Sequence, residues 1–157
     1  MYQLFRHTER DERAWNTGSA SFHICYKIES WPVTVAVRCR IESLGSDIAL
    51  LDTGAEWSVI GGDTAILLDD RLGQPIASSR ISSRLGLIEG SLYHVNITLL
   101  AEKNSGDDLT IESTAFVSEE WEGPTVLGYR GFLERIRFAL DPGVIPGEQI
   151  FYFGLAE

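Results

Sequence analysis

Apolar and polar residues alternate one for one along several stretches of this chain, and that period of two restricts the fold more than any other feature. In VTVAVRCRI, Val33, Val35, Val37, Cys39 and Ile41 alternate with Thr34, Ala36, Arg38 and Arg40. YHVNITL repeats the pattern through Tyr93, Val95, Ile97 and Leu99, and FHICYKI through Phe22, Ile24, Tyr26 and Ile28. Successive side chains of a strand point to opposite faces, so each run reads as a strand with one buried face. Further strands are expected at DIALLD, LTIESTAFV and QIFYFG, separated by turns at LGSD, KNSGDD, EGP and DPGVIPGE. One stretch departs from the period: YRGFLERIRFAL sets Phe132, Leu133 and Ile136 at helical spacing, which predicts a short helix. Many short strands and one helix give an all-β fold, a closed barrel or sandwich with the helix packed on it.

The chain has 157 residues, 44% hydrophobic and 23% charged, enough for one domain with a core of its own. Residues 1–20, rich in charged and then small polar residues, lack any apolar period and read as a loose arm, leaving 21–157 as the domain. No run approaches the ~18 apolar residues of a membrane span, and the first residues lack the features of a signal peptide, so the expectation is a cytoplasmic protein with no membrane partner. A net charge of −10 with scattered Lys and Arg argues against a nucleic-acid partner. Cys25 and Cys39 lack metal spacing, and Cys39 falls at an apolar strand position, favouring a buried free thiol over a disulfide. His7, His23 and His94 are scattered, and no zinc, phosphate-loop or nucleophile-elbow motif occurs, so neither metal nor cofactor is expected.

Against this background ALLDTGAEWSVI, residues 49–60, is unusual. An apolar strand ends on Asp52, Thr53 and Gly54, and the chain turns apolar again at once. Asp after a strand often caps its own turn, and that reading stands beside a catalytic one. The apolar flanks favour the second, because a carboxylate among buried residues needs partners or shares a proton. A second feature, TVLG, is an apolar strand through Val126 and Leu127 ending in Gly128 and running into the expected helix.

The D-T-G-A block of residues 52–55, the V-L-G block of residues 126–128 and the segment RISSRLGLIEGSLYHVNITL between them resemble the retropepsin-like aspartic proteases, over roughly Trp31 to Ile136. The resemblance implies an aspartic endopeptidase in which Asp52 is the catalytic acid and base, with Thr53, Gly54 and Ala55 supporting it. Hydrolysis without a metal or covalent intermediate needs one carboxylate to deprotonate water and an acid to protonate the carbonyl oxygen. Two carboxylates about 3 Å apart share one proton and fill both roles. Only one such loop is present, since Asp63 lacks the following glycine and Asp141 sits beside Pro142. The resemblance therefore implies a homodimer with Asp52 of each copy meeting on the axis, acting on a peptide or protein substrate.

Other positions carry two readings each. The C-terminal QIFYFGLAE either seals the dimer or is a core strand. Glu56 stands where retroviral relatives carry an acid paired with an arginine directly after the second glycine. Here that place is Tyr129 and Arg130 follows, so the implied loop ion pair is Glu56 with Arg130. Trp57 lines the cleft or packs in the core. Arg84, Leu85 and Gly86 fall at the tip of the implied flap, where Arg84 either reaches over the cleft or is an exposed loop residue. A different class of function, a catalytically silent module that dimerises or binds extended peptides, is the main rival. A monomeric β-barrel in which Asp52 merely caps a turn is the other.

Overall fold

The computed structural model describes residues 15–25, 34–83 and 86–156. Eleven strands occur among them: β1 (Gly18–Ser21), β2 (His23–Cys25), β3 (Thr34–Ile41), β4 (Ser46–Leu51), β5 (Ser58–Val59), β6 (Ala77–Ser83), β7 (Gly86–Leu99), β8 (Leu109–Val117), β9 (Thr125–Leu127), β10 (Ile136–Asp141) and β11 (Ile150–Leu155). One α-helix, α1 (Gly62–Leu68), and a single 3-10 turn (Leu133–Arg135) complete them.

The period-two runs become strands because each can bury one face. Val37, Cys39 and Ile41 of β3 and Val95, Ile97 and Leu99 of β7 all point into the same hydrophobic cluster. The larger sheet runs β2-β3-β4-β9-β5-β8-β7-β6, and β3 also pairs with β7 through Cys39↔Leu99, Arg40↔Thr98 and Ile41↔Ile97. That pairing closes β3, β4, β9, β5, β8 and β7 into a barrel, with β2 and β6 paired outside the closure. A second sheet, β1-β11-β10, packs on it through Phe151 and Phe153 of β11, which lie in the barrel's cluster. The four expected turns fall between β3 and β4, β7 and β8, β8 and β9, and β10 and β11. The all-β class and the barrel closure agree with the sequence reading.

Three details differ from it. The helix expected over residues 129–140 contracts to the 3-10 turn, and Ile136–Asp141 is strand β10, paired with β11 from Ile136↔Leu155 to Asp141↔Ile150. Phe132, Leu133 and Ile136 are all buried, but the backbone pairing available along β11 outweighs a helical arrangement that their spacing also permits. Helix α1 was not expected, because its sequence carries no apolar stripe: Ile66 and Leu67 are exposed and Leu68 alone is buried. Gly18–Ala20, placed by composition in the loose arm, form a buried strand against β11, while residues 1–14 of that arm lie outside the described residues. There β1 is held by Glu102, whose Oε1 accepts the Ser21 hydroxyl at 2.5 Å and the Ser21 N–H at 3.0 Å.

Strand β11 is the middle strand of its sheet, with β1 on one side and β10 on the other. Phe151, Tyr152 and Phe153 are buried within the single chain. Of the two readings of QIFYFGLAE, the core strand is the one its pairing fits.

Candidate active site

Strands β4 and β9 run parallel, with Ala49, Leu50 and Leu51 in register with Thr125, Val126 and Leu127. Because they point the same way and end together, Asp52 and Gly128 emerge side by side. The Asp52 N–H donates to the Leu127 carbonyl at 3.1 Å, fixing the carboxylate-bearing residue to the end of β9. The loop then folds on itself: Ala55 N–H donates to the Asp52 carbonyl at 3.2 Å, and Gly54 N–H donates to Asp52 Oδ1 at 2.9 Å. The second carboxylate oxygen, Oδ2, has no partner among the described residues.

Asp52, Thr53 and Gly54 are exposed in the single chain. This corrects the argument that apolar flanks bury the carboxylate: Ala49 and Ser58–Ile60 are buried, but the strand lifts Asp52 out of the barrel at its end.

The tightest approach in the site belongs to Gly128. A Cβ there would lie 2.3 Å from both the carbonyl carbon and oxygen of Trp57 and 2.7 Å from the Ser58 nitrogen. No side chain fits against another backbone at that distance. Gly54, by contrast, has only the Asp52 carboxylate nearby, at 3.2 Å from a Cβ. The Gly128 N–H donates to the fully buried Ser58 hydroxyl at 3.0 Å, so Ser58 braces the second motif from within the first. Sequence reasoning missed Ser58; its one signal is a polar residue within the apolar WSVI run.

Past Gly128 the chain runs beside the D-T-G loop. Tyr129 N–H donates to the Ala55 carbonyl and Arg130 N–H to the Glu56 carbonyl, both at 2.8 Å. Arg130 Nη1 lies 2.8 Å from Glu56 Oε1, with both side chains more than half exposed at 58% and 63%. The Arg130 guanidinium also sits 4.8 Å from the Trp57 ring centroid. The one-residue displacement of the arginine is thus absorbed by the backbone pairing of Trp57 with Arg130. Trp57 itself is half-buried in a second hydrophobic cluster, with Ala55 and Leu50 beside it.

That cluster joins the loop to the hairpin of β6 and β7. Ile81, Ile88 and Leu92 of the hairpin pack in it together with Val59, Phe116 and Val126, and Trp121 joins from the loop after β8. Register runs from Ala77↔Leu92 to Ser83↔Gly86. Gly86, with φ of 115°, takes a conformation that favours glycine, and its carbonyl accepts the Ser83 hydroxyl at 3.0 Å. Arg84 and Leu85 lie outside the described residues.

Among those residues, no group of three or more His, Cys, Asp or Glu is placed to hold a metal ion. Cys39, buried in the barrel, is a free thiol whose pKa burial pushes up to about 12, with Asp47 adding to the effect. It lies in the core and not at the Asp52 loop.

No protein-family model matches the chain, and no curated protein matches it either. Among solved structures, it is similar to the EIAV protease complexed with an inhibitor, at 24% identity over 66% of this chain and 86% of that one, with a TM-score of 0.45. It is also similar to a retropepsin-like aspartic protease from Rickettsia conorii, at 13% identity over 78% of this chain and 83% of that one, with a TM-score of 0.47.

Proposed function

We propose that this chain is an aspartic endopeptidase that works as a homodimer, with Asp52 of each copy forming the catalytic pair. The observation that carries the reading is the presentation of Asp52: a carboxylate braced by a neighbouring strand end, with one oxygen bonded within its own loop and the other free and exposed. The D-T-G-A sequence and its placement beside Val126-Leu127-Gly128 support it.

In this reading two exposed Asp52 loops meet on a two-fold axis, and each carboxylate desolvates the other. Like charges that close cannot both ionise, so the pair holds one proton. The ionised member takes a proton from water, and the protonated member donates to the carbonyl oxygen of the scissile peptide as the water oxygen attacks its carbon. The resulting diol collapses as the carboxyl that took water's proton gives it to the amide nitrogen and the other carboxylate takes a proton from a diol hydroxyl, breaking the C–N bond and returning the pair to its starting state. Gly54 N–H, donating to Oδ1, favours the ionised form and orients the carboxylate. Thr53 hydrogen-bonds across the axis to the partner loop. The β6–β7 hairpin, anchored on Trp57 and Ala55 through the shared cluster, closes over an extended peptide. Glu56 and Arg130 hold the loop's outer wall.

The same Gly54 bond also favours a second reading, since a turn-capping Asp makes that contact in a monomer with no catalytic task. Cleavage of an unstructured peptide mixture from pH 3 to 8, compared between wild type and Asp52→Asn, separates the two. Cleavage by the wild type alone, with a bell-shaped pH profile, supports the protease. A folded wild type that sediments as a monomer and cleaves nothing leaves Asp52 as a turn residue.

A further inference from the structure

Away from the Asp52 loop, a groove of ≈ 1160 Å³ lies between helix α1, the end of β7's hairpin pairing and the loop joining β8 to β9. Aliphatic and polar side chains line it together: Ile48 and Ile66 are 55% and 76% exposed, and Tyr93 and Val117 are half-buried. Six carboxylates line the same groove, on Asp63, Asp69, Glu89, Glu119, Glu120 and Glu122, and among the described residues no Lys, Arg or His lines it. A seventh, Asp47, is already engaged, its Oδ2 accepting the Thr64 and Thr125 hydroxyls at 2.9 Å each. The cross-strand neighbour of Glu89, Arg80, is exposed and does not line the groove.

We propose that this groove is a docking site for an extended basic and apolar peptide segment, with Lys or Arg alternating with aliphatic residues. An extended segment points its side chains alternately to two sides, so one set can meet the aliphatic residues and the other the carboxylates. Charge selects the occupant. Six acids, with no cation among the described lining residues, attract a cationic segment. The groove also borders the active-site loop mechanically. Trp121, in the wall that carries Glu119, Glu120 and Glu122, packs in the cluster that contains Ala55, Trp57 and the hairpin's Ile88. Its indole N–H donates to the Pro124 carbonyl at 3.0 Å, and Gly123 leaves room for the ring, where a Cβ would approach to 2.5 Å. Resting on the protease reading, the inference names the substrate class: proteins carrying a basic, apolar segment beside the cleaved sequence.

The test measures binding and needs no catalysis. A fluorescent twelve-residue peptide alternating Lys and Leu is titrated with Asp52→Asn protein by anisotropy, against peptides alternating Glu and Leu or Gln and Leu. Two triple variants follow in the same background: Glu119→Gln, Glu120→Gln, Glu122→Gln in the groove wall, and Asp107→Asn, Glu112→Gln, Glu148→Gln outside it. Both remove the same net charge. The Lys–Leu peptide should bind in preference to the other two, and about tenfold more weakly to the groove variant, with the control variant unchanged. Equal loss in both triples would reduce the effect to the overall charge and overturn the proposal. So would equal binding of all three peptides, or groove substitutions that change the sedimentation of the protein instead of peptide affinity. Should the wild type cleave nothing while the peptide still binds as described, the protease reading fails and the docking site stands.

Discussion

Asp52 is the residue on which the functional account depends. Its carboxylate is exposed in the single chain, so Asp52→Asn should leave folding untouched while lowering kcat by about 10²- to 10⁴-fold, the usual worth of a positioned acid or base. Circular dichroism alongside the cleavage assay checks both halves. Gly128 makes the opposite prediction. Gly128→Ala drives a methyl into the Trp57 carbonyl, which cannot move without unpairing Arg130, and should cost about 3 kcal/mol in urea unfolding. Ser58→Ala should cost about 1–3 kcal/mol, because it leaves the buried Gly128 N–H without an acceptor. Cys39 gives a pH dependence. The folded chain keeps its thiol proton up to about 12, while an unfolded thiol releases it near 9.0, so over that interval the unfolded state binds fewer protons and stability falls as pH rises. Unfolding of Cys39→Ala, measured alongside the wild type across that range, should show a shallower decline.

The elements differ in how openly the sequence declared them. Strands β3, β7 and β8 were legible because one face is buried along most of their length, so hydrophobicity and backbone carry the same message. Even there, Phe116 of β8 breaks the alternation by packing on the outer cluster, since the strand's end is covered on both faces. Helix α1 was invisible because a surface helix that buries only Leu68 has no stripe to detect. The 129–140 segment misled for the reverse reason: its apolar spacing fits a helix, but the next strand, β11, was there to pair with Ile136–Asp141. At the site, the D-T-G-A and V-L-G blocks were readable as motifs. The roles of Ser58 and Gly128 were not, because both depend on a contact between residues distant in sequence and local pattern holds no record of it. The hairpin was found by position, and its anchoring on Trp57 came only with the three-dimensional cluster.

For the molecule as a whole, one chain offers one Asp52, presented outward. In the proposed dimer a second chain completes the site, so specific activity should fall on dilution as dimers dissociate. Strand β11 is paired on both edges within its own chain, so the contact between copies must use surfaces other than that strand's edges. The most direct test mixes wild-type protein with Asp52→Asn in equal amounts, unfolds and refolds them together, and measures cleavage against the same total of wild type. If the two Asp52 residues form one catalytic pair, mixed dimers are inactive and activity falls to about one quarter. A fall to only about one half would mean that each chain works with its own carboxylate, and would contradict the shared site.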